Sequence, residues 1–322
     1  MIQDHASALI FSGGKPYFPL SQRYQDLFGK KVFKVSVSTA KTCPNREGRG
    51  GMKVCTFCDE WGSAAYHLNA QLPLEEQIRQ NQQAIRARYK AEKFLVYFQA
   101  YTNTFGHMKE LEDLYQVALD QEDVIGLVVG TRPDCLSTRV LKIFERIAQT
   151  HFLSVELGVQ TLDDPQLQFL SRGHDSACSI QAIHKLKQIP SIDICVHLMF
   201  GLPGETTEQL RQTAQTLSDL EVHGVKLHNL HVLQKTPLAD LFYQGAFTPI
   251  ELEPYAHRVS VFLEHLSPCI AVHRLVAVAS RWDELIAPMW SKERMRPSQF
   301  IEEYLKSVPT WQGRYYRSKP EI

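Results

Sequence analysis

Cys43-Pro44-Asn45-Arg46-Glu47-Gly48-Arg49-Gly50-Gly51-Met52-Lys53-Val54-Cys55-Thr56-Phe57-Cys58 is the stretch on which the rest of the chain is organised. The two-residue gap between Cys55 and Cys58 lets both thiolates reach one metal centre. The eleven-residue span before Cys55 carries Gly48, Gly50 and Gly51, which let it wrap and return Cys43 to the same place. A structural zinc site is normally closed by a fourth Cys or His, and His67 is the nearest candidate. A [4Fe–4S] cluster normally takes four thiolates, so three would leave one iron open. Buried thiols without a metal are the third reading, and a glycine-rich loop is a poor place to bury anything. On this stretch alone, zinc and iron–sulfur are comparable.

Working outward, Val32–Val37 (VFKVSV) alternates apolar and polar residues and predicts a strand that feeds directly into the cysteine loop. A helix is expected over about 74–89, then Phe94–Phe98, a short apolar run of the kind a strand buried on both faces shows. Helices near 108–119, 138–149 and 177–189 alternate with strands over 125–129, 152–159 and 193–200. Thr206 and Gln209 match a capping box and start the next helix. A sixth strand is expected over 225–233. Six strands alternating with helices predict an α/β fold, an open six-stranded parallel sheet of (β/α)6 type forming a partial TIM barrel. The loops after the strands hold the cysteines, glycines and lone charges, on the face where such folds place their sites. Residues 1–31 read as an irregular lead-in, 32–237 as the barrel and 238–322 as a C-terminal α/β extension with a strand near 269–275, packed on the open side.

The chain has 322 residues, 44% of them hydrophobic, and no net formal charge. Global composition therefore points to neither nucleic acid nor membrane. Locally, Lys15 to Lys53 carries nine Lys/Arg against Asp26 and Glu47, read either as a solvated face or as a site for an anionic substrate. Seven cysteines, four of them isolated, do not make a disulfide framework. With Asp4 and His5 where a signal peptide's apolar core would begin, a cytoplasmic protein is expected, with no membrane partner.

Several fragments follow successive strands: Cys43-Pro44-Asn45-Arg46 with Cys55-x-x-Cys58, Phe98-Gln99-Ala100-Tyr101-Thr102-Asn103-Thr104, Gly130-Thr131-Arg132-Pro133-Asp134, Glu156-Leu157-Gly158-Val159-Gln160-Thr161, Arg172-Gly173-His174, Gly201-Leu202-Pro203-Gly204-Glu205 and Trp311-Gln312-Gly313. In this order the chain resembles the radical S-adenosylmethionine (SAM) enzymes, more narrowly the elongator-protein-like branch, and most closely the bacterial YhcC/YtqA-like group. The long gap before Cys55 departs from the superfamily's common three-residue spacing and is shared by that group. The resemblance implies Cys43, Cys55 and Cys58 as ligands of a [4Fe–4S] cluster, SAM on the open iron, and a 5′-deoxyadenosyl radical that abstracts hydrogen from the substrate. It also implies a flavodoxin- or ferredoxin-like electron donor and a tRNA substrate at the wobble uridine. A small-molecule or porphyrin-like substrate is the alternative, and a zinc-stabilised binding module is the reading from another class.

Site expectations follow. Gln99, Thr102 and Asn103 would meet the methionine end of SAM. Glu156 and Gln160, four apart on one strand, would face the same way toward the ribose or methionine end. Arg172 would pair with the SAM carboxylate. Gly201, and less specifically Gly204, would let backbone approach the adenine. Phe57 would cover the cluster. Of His228 and His231, at most one should look inward, and Cys195 and Cys178 read as core.

Overall fold

A computed structural model describes residues 10–40, 42–62, 69–279 and 281–318. The expected alternation is present. Strands β1 (Val32–Val37), β2 (Lys93–Phe98), β3 (Val124–Thr131), β4 (Phe152–Gln160), β5 (Ile192–Phe200) and β6 (Gly224–Asn229) pair parallel in that order. After a two-residue strand β7 (Val232–Leu233), the extension returns β8 (Ala271–Arg274) to the sheet beside β6 as a seventh parallel strand. The result is a curled half-barrel. Expected strand 225–233 is therefore split: β7 leaves the sheet and pairs antiparallel with β9 (Leu285–Ala287).

The strands' period of two decides what lines the curl. In β2, Phe94, Val96 and Phe98 join the core under the helices, while Leu95 and Tyr97 pack on the other face with Tyr24 and Val128. From β4 onward the inward positions are polar: Ser154 and Glu156, then Asp193, Cys195 and His197, then Lys226 and His228.

The α-helices among the described residues are α1 (Leu20–Phe28), α2 (Leu74–Tyr89), α3 (Met108–Leu119), α4 (Thr138–Ala148), α5 (Asp164–Phe169), α6 (Ser176–Lys187), α7 (Thr207–Asp219), α8 (Pro237–Tyr243), α9 (Leu252–His265) and α10 (Arg296–Ser307). The Thr206–Gln209 capping box forms, with both reciprocal bonds present. The irregular lead-in expected over 1–31 is corrected by α1. Nine residues are too few to hold a helix by propensity alone. Packing holds it: Tyr24 and Phe28 pack on Phe152, and Arg23 bonds Asp193 at 2.5 Å, which plugs the N-terminal end of the curl. Gln312 ties both chain ends together, accepting from Phe18 N at 2.8 Å and donating to the Ser267 and Ile270 carbonyls at 2.7 and 2.8 Å. No helix among the described residues is long and apolar enough to cross a membrane.

A cysteine-lined cavity at the C-terminal ends of the strands

The cysteine loop is fastened by a buried polar network rather than by its own glycines. Asn45 donates to the Lys53 carbonyl at 2.6 Å and the Ser171 carbonyl at 2.8 Å, while its Oδ1 accepts from Arg132. Arg132 in turn forks onto Asp134 at 2.8 and 2.7 Å. Burial opposes the charge on Asp134, but Arg132 outweighs it and holds the carboxyl below its usual range. Thr56 N–H donates to Leu170 O at 3.1 Å, and Leu238 N–H donates to Thr56 O at 2.9 Å. Gly173 lies so close that a Cβ there would meet Met52 Sδ at 2.3 Å. Three strand-end loops are thus drawn onto one another, and this explains why Gly130–Asp134 and Arg172–His174 carry polar residues at spacings with no helix or strand period.

That packing brings Cys43, Cys55 and Cys58 to the mouth of one cavity of about 230 Å³ at the C-terminal ends of the strands. Its lining includes Gln99, Thr102, Asn103, Glu156, Gln160 and Arg172, six of the seven expected SAM contacts. Gly201 is not among them. It sits in an adjoining pocket with φ +86, its N–H on Glu205 Oε2 at 2.9 Å, and a Cβ there would meet Ile250 at 2.4 Å. The glycine serves the turn into α7. Gly204 lines the same adjoining pocket. Phe57 lines the cavity beside the thiols.

Individual roles shift. Asn103 spends its amide on the Phe98, Ala100 and Gly130 carbonyls, at 3.1, 3.0 and 3.0 Å, so it shapes the loop. That loop is strained: Ala100 and Tyr101 are both left-handed, at φ +68 and +52. The strain seats Tyr101 on Gly62, with its hydroxyl on Glu60 O at 2.6 Å. Arg172 places Nη1 3.3 Å from Cys55 Sγ and Nη2 2.9 Å from Gly158 O, leaving Nε buried without a partner. Arg46 places Nη2 3.5 Å from Cys58 Sγ. Burial pushes the Cys58 thiol up to about 12, against the pull of Arg46.

Glu156 lies deep, four residues and so about 13 Å along β4 from Gln160. Its oxygens are taken: Lys34 Nζ at 2.5 Å on one, Lys226 Nζ at 2.8 Å and His197 Nε2 at 2.6 Å on the other. Burial opposes its ionisation, but Lys226, Lys34 and His197 outweigh this and hold it well below the usual range. Three of the carboxylate's roughly four lone-pair sites are thus taken, so Glu156 is first of all the counter-charge of this wall. His228 lines the cavity; His231, expected on the same strand facing the other way, lies past the end of β6 and outside the lining. Cys195 is buried against His273 in the inner wall rather than in the apolar core, and Cys178 is half-buried on α6. The sequence reading missed Lys34, Lys226, His273 and Arg274. Lys34 and Lys226 were signalled as polar residues inside otherwise apolar strands, whereas His273 and Arg274, consecutive on the short β8, follow no such alternation.

Among the described residues the basic excess of Lys15–Lys53 is dispersed rather than gathered beside the cysteines. Lys15 pairs with Glu302 and Arg23 with Asp193, and Lys34 points into the curl. Lys30 and Lys31 precede β1, about 20 Å from the cysteine loop at the other end of the strand. Lys41 lies outside the described residues. Only Arg46, Arg49 and Lys53 remain on the loop itself, and Arg49 pairs with Glu47.

The donor set fits a three-thiolate cluster. The sulfurs are the soft ligands that iron–sulfur centres take. Two guanidinium groups beside them offset the negative charge that metal-bound thiolates acquire, and the two histidines of the lining, His197 and His228, are engaged deeper, with Glu156 and Arg274. His67, the zinc alternative's fourth ligand, lies outside the described residues.

Residues 37–217 match the model of the Radical SAM superfamily, and residues 222–307 match that of the Radical_SAM C-terminal domain. The chain is 32% identical over 307 residues to YtqA of Bacillus subtilis (strain 168), covering 95% of each. It is 36% identical over 287 residues to YhcC of Escherichia coli (strain K12), covering 89% of this chain and 90% of that protein. Among solved structures, the archaeal Methanocaldococcus infernus Elp3 with an N-terminal deletion superposes with a TM-score of 0.66 at 17% identity, over 86% of this chain and 63% of that one.

Proposed function

Because this chain belongs to the radical SAM superfamily, in the group that includes YtqA and YhcC, we propose that Cys43, Cys55 and Cys58 hold a [4Fe–4S] cluster with one iron open to SAM. It is an enzyme of this class. When bound, the cluster and SAM supply the electron transfer that cleaves a sulfonium C–S bond, with a 5′-deoxyadenosyl radical to take hydrogen from the substrate. The observation that carries the reading is the convergence of three thiols, Gln99, Thr102, Gln160 and Arg172 on the mouth of one cavity. Arg172 steadies the Cys55 sulfur and brings its positive charge to the carboxylate end of SAM, while Gln99, Thr102 and Gln160 supply uncharged polar groups. Phe57 shields the thiols from water. The cavity walls from Gln160 down to Glu156 hold the reacting C–H bond in a fixed, enclosed place.

The elongator-like motifs favour a tRNA substrate at the wobble uridine. A base reaching this interior cavity has to leave its stack, as in other enzymes that act on nucleobases. A small substrate is the second reading, favoured by the enclosed and polar inner wall. A flavodoxin- or ferredoxin-like protein is the reductant of either. The test is anaerobic reconstitution: brown protein with broad absorption that bleaches on dithionite, and 5′-deoxyadenosine formed from SAM. Stoichiometric zinc without iron would overturn the reading. Mass spectrometry of tRNA nucleosides from deletion and parent strains separates the substrates: a changed uridine supports tRNA, and an unchanged profile supports the small molecule.

A further inference from the structure

The inner end of the cavity carries more positive charge than its own residues balance. Lys34 on β1, Lys226 on β6 and Arg274 on β8 face Glu156 on β4, the one carboxylate among them. The other titratable groups around these four are Tyr24, Tyr97, Tyr255, Cys195, His197, His228, His231 and His273, with the Arg23–Asp193 ion pair beneath them. Burial keeps those eight uncharged near neutral pH: it raises the tyrosines and the thiol, and it lowers His197, His231 and His273 to about 4 and His228 well below its ordinary value. Arg23 and Asp193 balance each other, so three cations face one anion. Glu156 is shared between Lys34 and Lys226, and among the described residues Arg274 makes no ion pair. One of its Nη atoms rests 2.8 Å from a ring nitrogen of His228, and its Nε is buried with no partner.

A buried guanidinium without a counter-charge is costly, and such groups are normally paired. Glu156, Cys195 and His197 also bring ligand atoms within 4.8 Å of one another, a spacing suited to a metal ion. The two ammonium groups already on Glu156 would repel one. The sign of the surplus calls for an anion. SAM does not supply it, because its carboxylate belongs with the cluster at the mouth, about 13 Å up β4, and its adenosine carries no negative charge.

We propose that the inner end of this cavity is a receptor for an oxyanion of the substrate, a carboxylate in the first instance, held between Arg274 and Lys226 with Tyr97 and His228 beside it. A planar carboxylate suits the guanidinium fork, and Lys226 adds a point charge. The class of substrate follows: a molecule, or a nucleobase substituent, with an anionic end that enters first and a reacting C–H bond held between that end and the cluster. The inference rests on the proposed reaction in placing SAM at the mouth and in assigning the anion to a substrate.

The test uses cluster-reconstituted protein without SAM, titrated with acetate and, separately, with inorganic phosphate at constant ionic strength, with thermal unfolding as the readout. Acetate is expected to raise the melting temperature as the logarithm of 1 + [acetate]/Kd, with a fitted Kd of about 1–10 mM, as suits a ligand of four heavy atoms. Arg274→Gln should raise that Kd at least tenfold, and Lys226→Gln does so if the first variant fails to fold. A shift of this form with phosphate and not acetate would move the assignment to a phosphorylated substrate. No such shift with either anion, or the same Kd in the variants as in the parent, overturns the inference. Iron content is measured on the same samples. Anion binding in protein that holds zinc and no iron would retire the radical reaction and leave the receptor standing; a normal iron chromophore without anion binding would do the reverse.

Discussion

Arg172 Nη1 lies 3.3 Å from Cys55 Sγ, so the cation expected to meet SAM is already seated on one of the three thiols. The two roles are compatible, because each Nη carries a second N–H beyond its contact with Cys55 Sγ or Gly158 O. Arg172→Ala should weaken SAM binding by about 2–5 kcal/mol, the usual loss when one half of a hydrogen-bonded charge pair is removed. It should also make the cluster's reduction potential more negative, since hydrogen bonds to the sulfurs help set it. Arg172→Lys should recover part of the affinity, because the charge remains and the fork does not. Calorimetry and a redox titration on reconstituted protein check both; unchanged values in Arg172→Ala would confine the residue to packing.

Single replacement of Cys43, Cys55 or Cys58 by Ala should reduce bound iron from about four per chain to near zero. Cys178→Ala, on α6 and outside the cavity lining, should leave it unchanged. Iron analysis after anaerobic reconstitution decides this, and full occupancy in Cys43→Ala would remove that residue from the ligand set.

Asp134→Ala should destabilise the fold by about 1–3 kcal/mol, less than for a fully buried pair because Asp134 is itself exposed while Arg132 is left charged and buried. Since the folded carboxyl titrates below its usual value, its contribution is present at neutral pH and lost as pH falls through the folded value. Urea unfolding at pH 7 measures the difference. A loss under 1 kcal/mol would mean that the cysteine loop does not depend on this network.

Acetate affinity should fall as pH rises through about 8, where burial has brought the Lys226 ammonium from its ordinary 10.5. Binding needs the charged form, so it is full below that value; a bound carboxylate favours the ammonium and moves the midpoint upward. The effect on stability has the opposite sign. Between about 8 and 10.5 the unfolded chain keeps a proton that the folded chain has released, so this group's contribution rises with pH. Titrations in Lys226→Gln should lose the step near 8, and a step of equal size there would assign it to another group.

If the substrate is tRNA, Lys30→Gln with Lys31→Gln should leave the salt dependence of binding unchanged, because these residues lie at the far end of β1. Lys53→Gln, on the cysteine loop, should lower the slope of log affinity against log salt by about 0.7–0.9. Gel-shift titrations at two salt concentrations read both. A flatter slope in the Lys30/Lys31 variant would put RNA at the opposite end of the sheet.

The sequence by itself determined the β/α alternation, the place of the cysteine loop after β1, the Thr206 capping box and the thiol triad. Each is local: a strand's period, a cap's spacing and a two-residue gap between cysteines are written in neighbouring residues, so short-range physics suffices to read them. Tertiary structure alone decided the rest. It took Lys34 out of an apparent basic run and put it on Glu156, 122 positions away, and it set Gly201 against Ile250 instead of a ligand. It brought Arg274 back beside His228 through a strand supplied by the extension. Curling a parallel sheet turns every second residue of seven separate strands toward one axis, so the charge balance there is a sum over distant segments. No local pattern carries that sum, and burial makes it matter, because inside the curl water no longer screens one unpaired cation from the next.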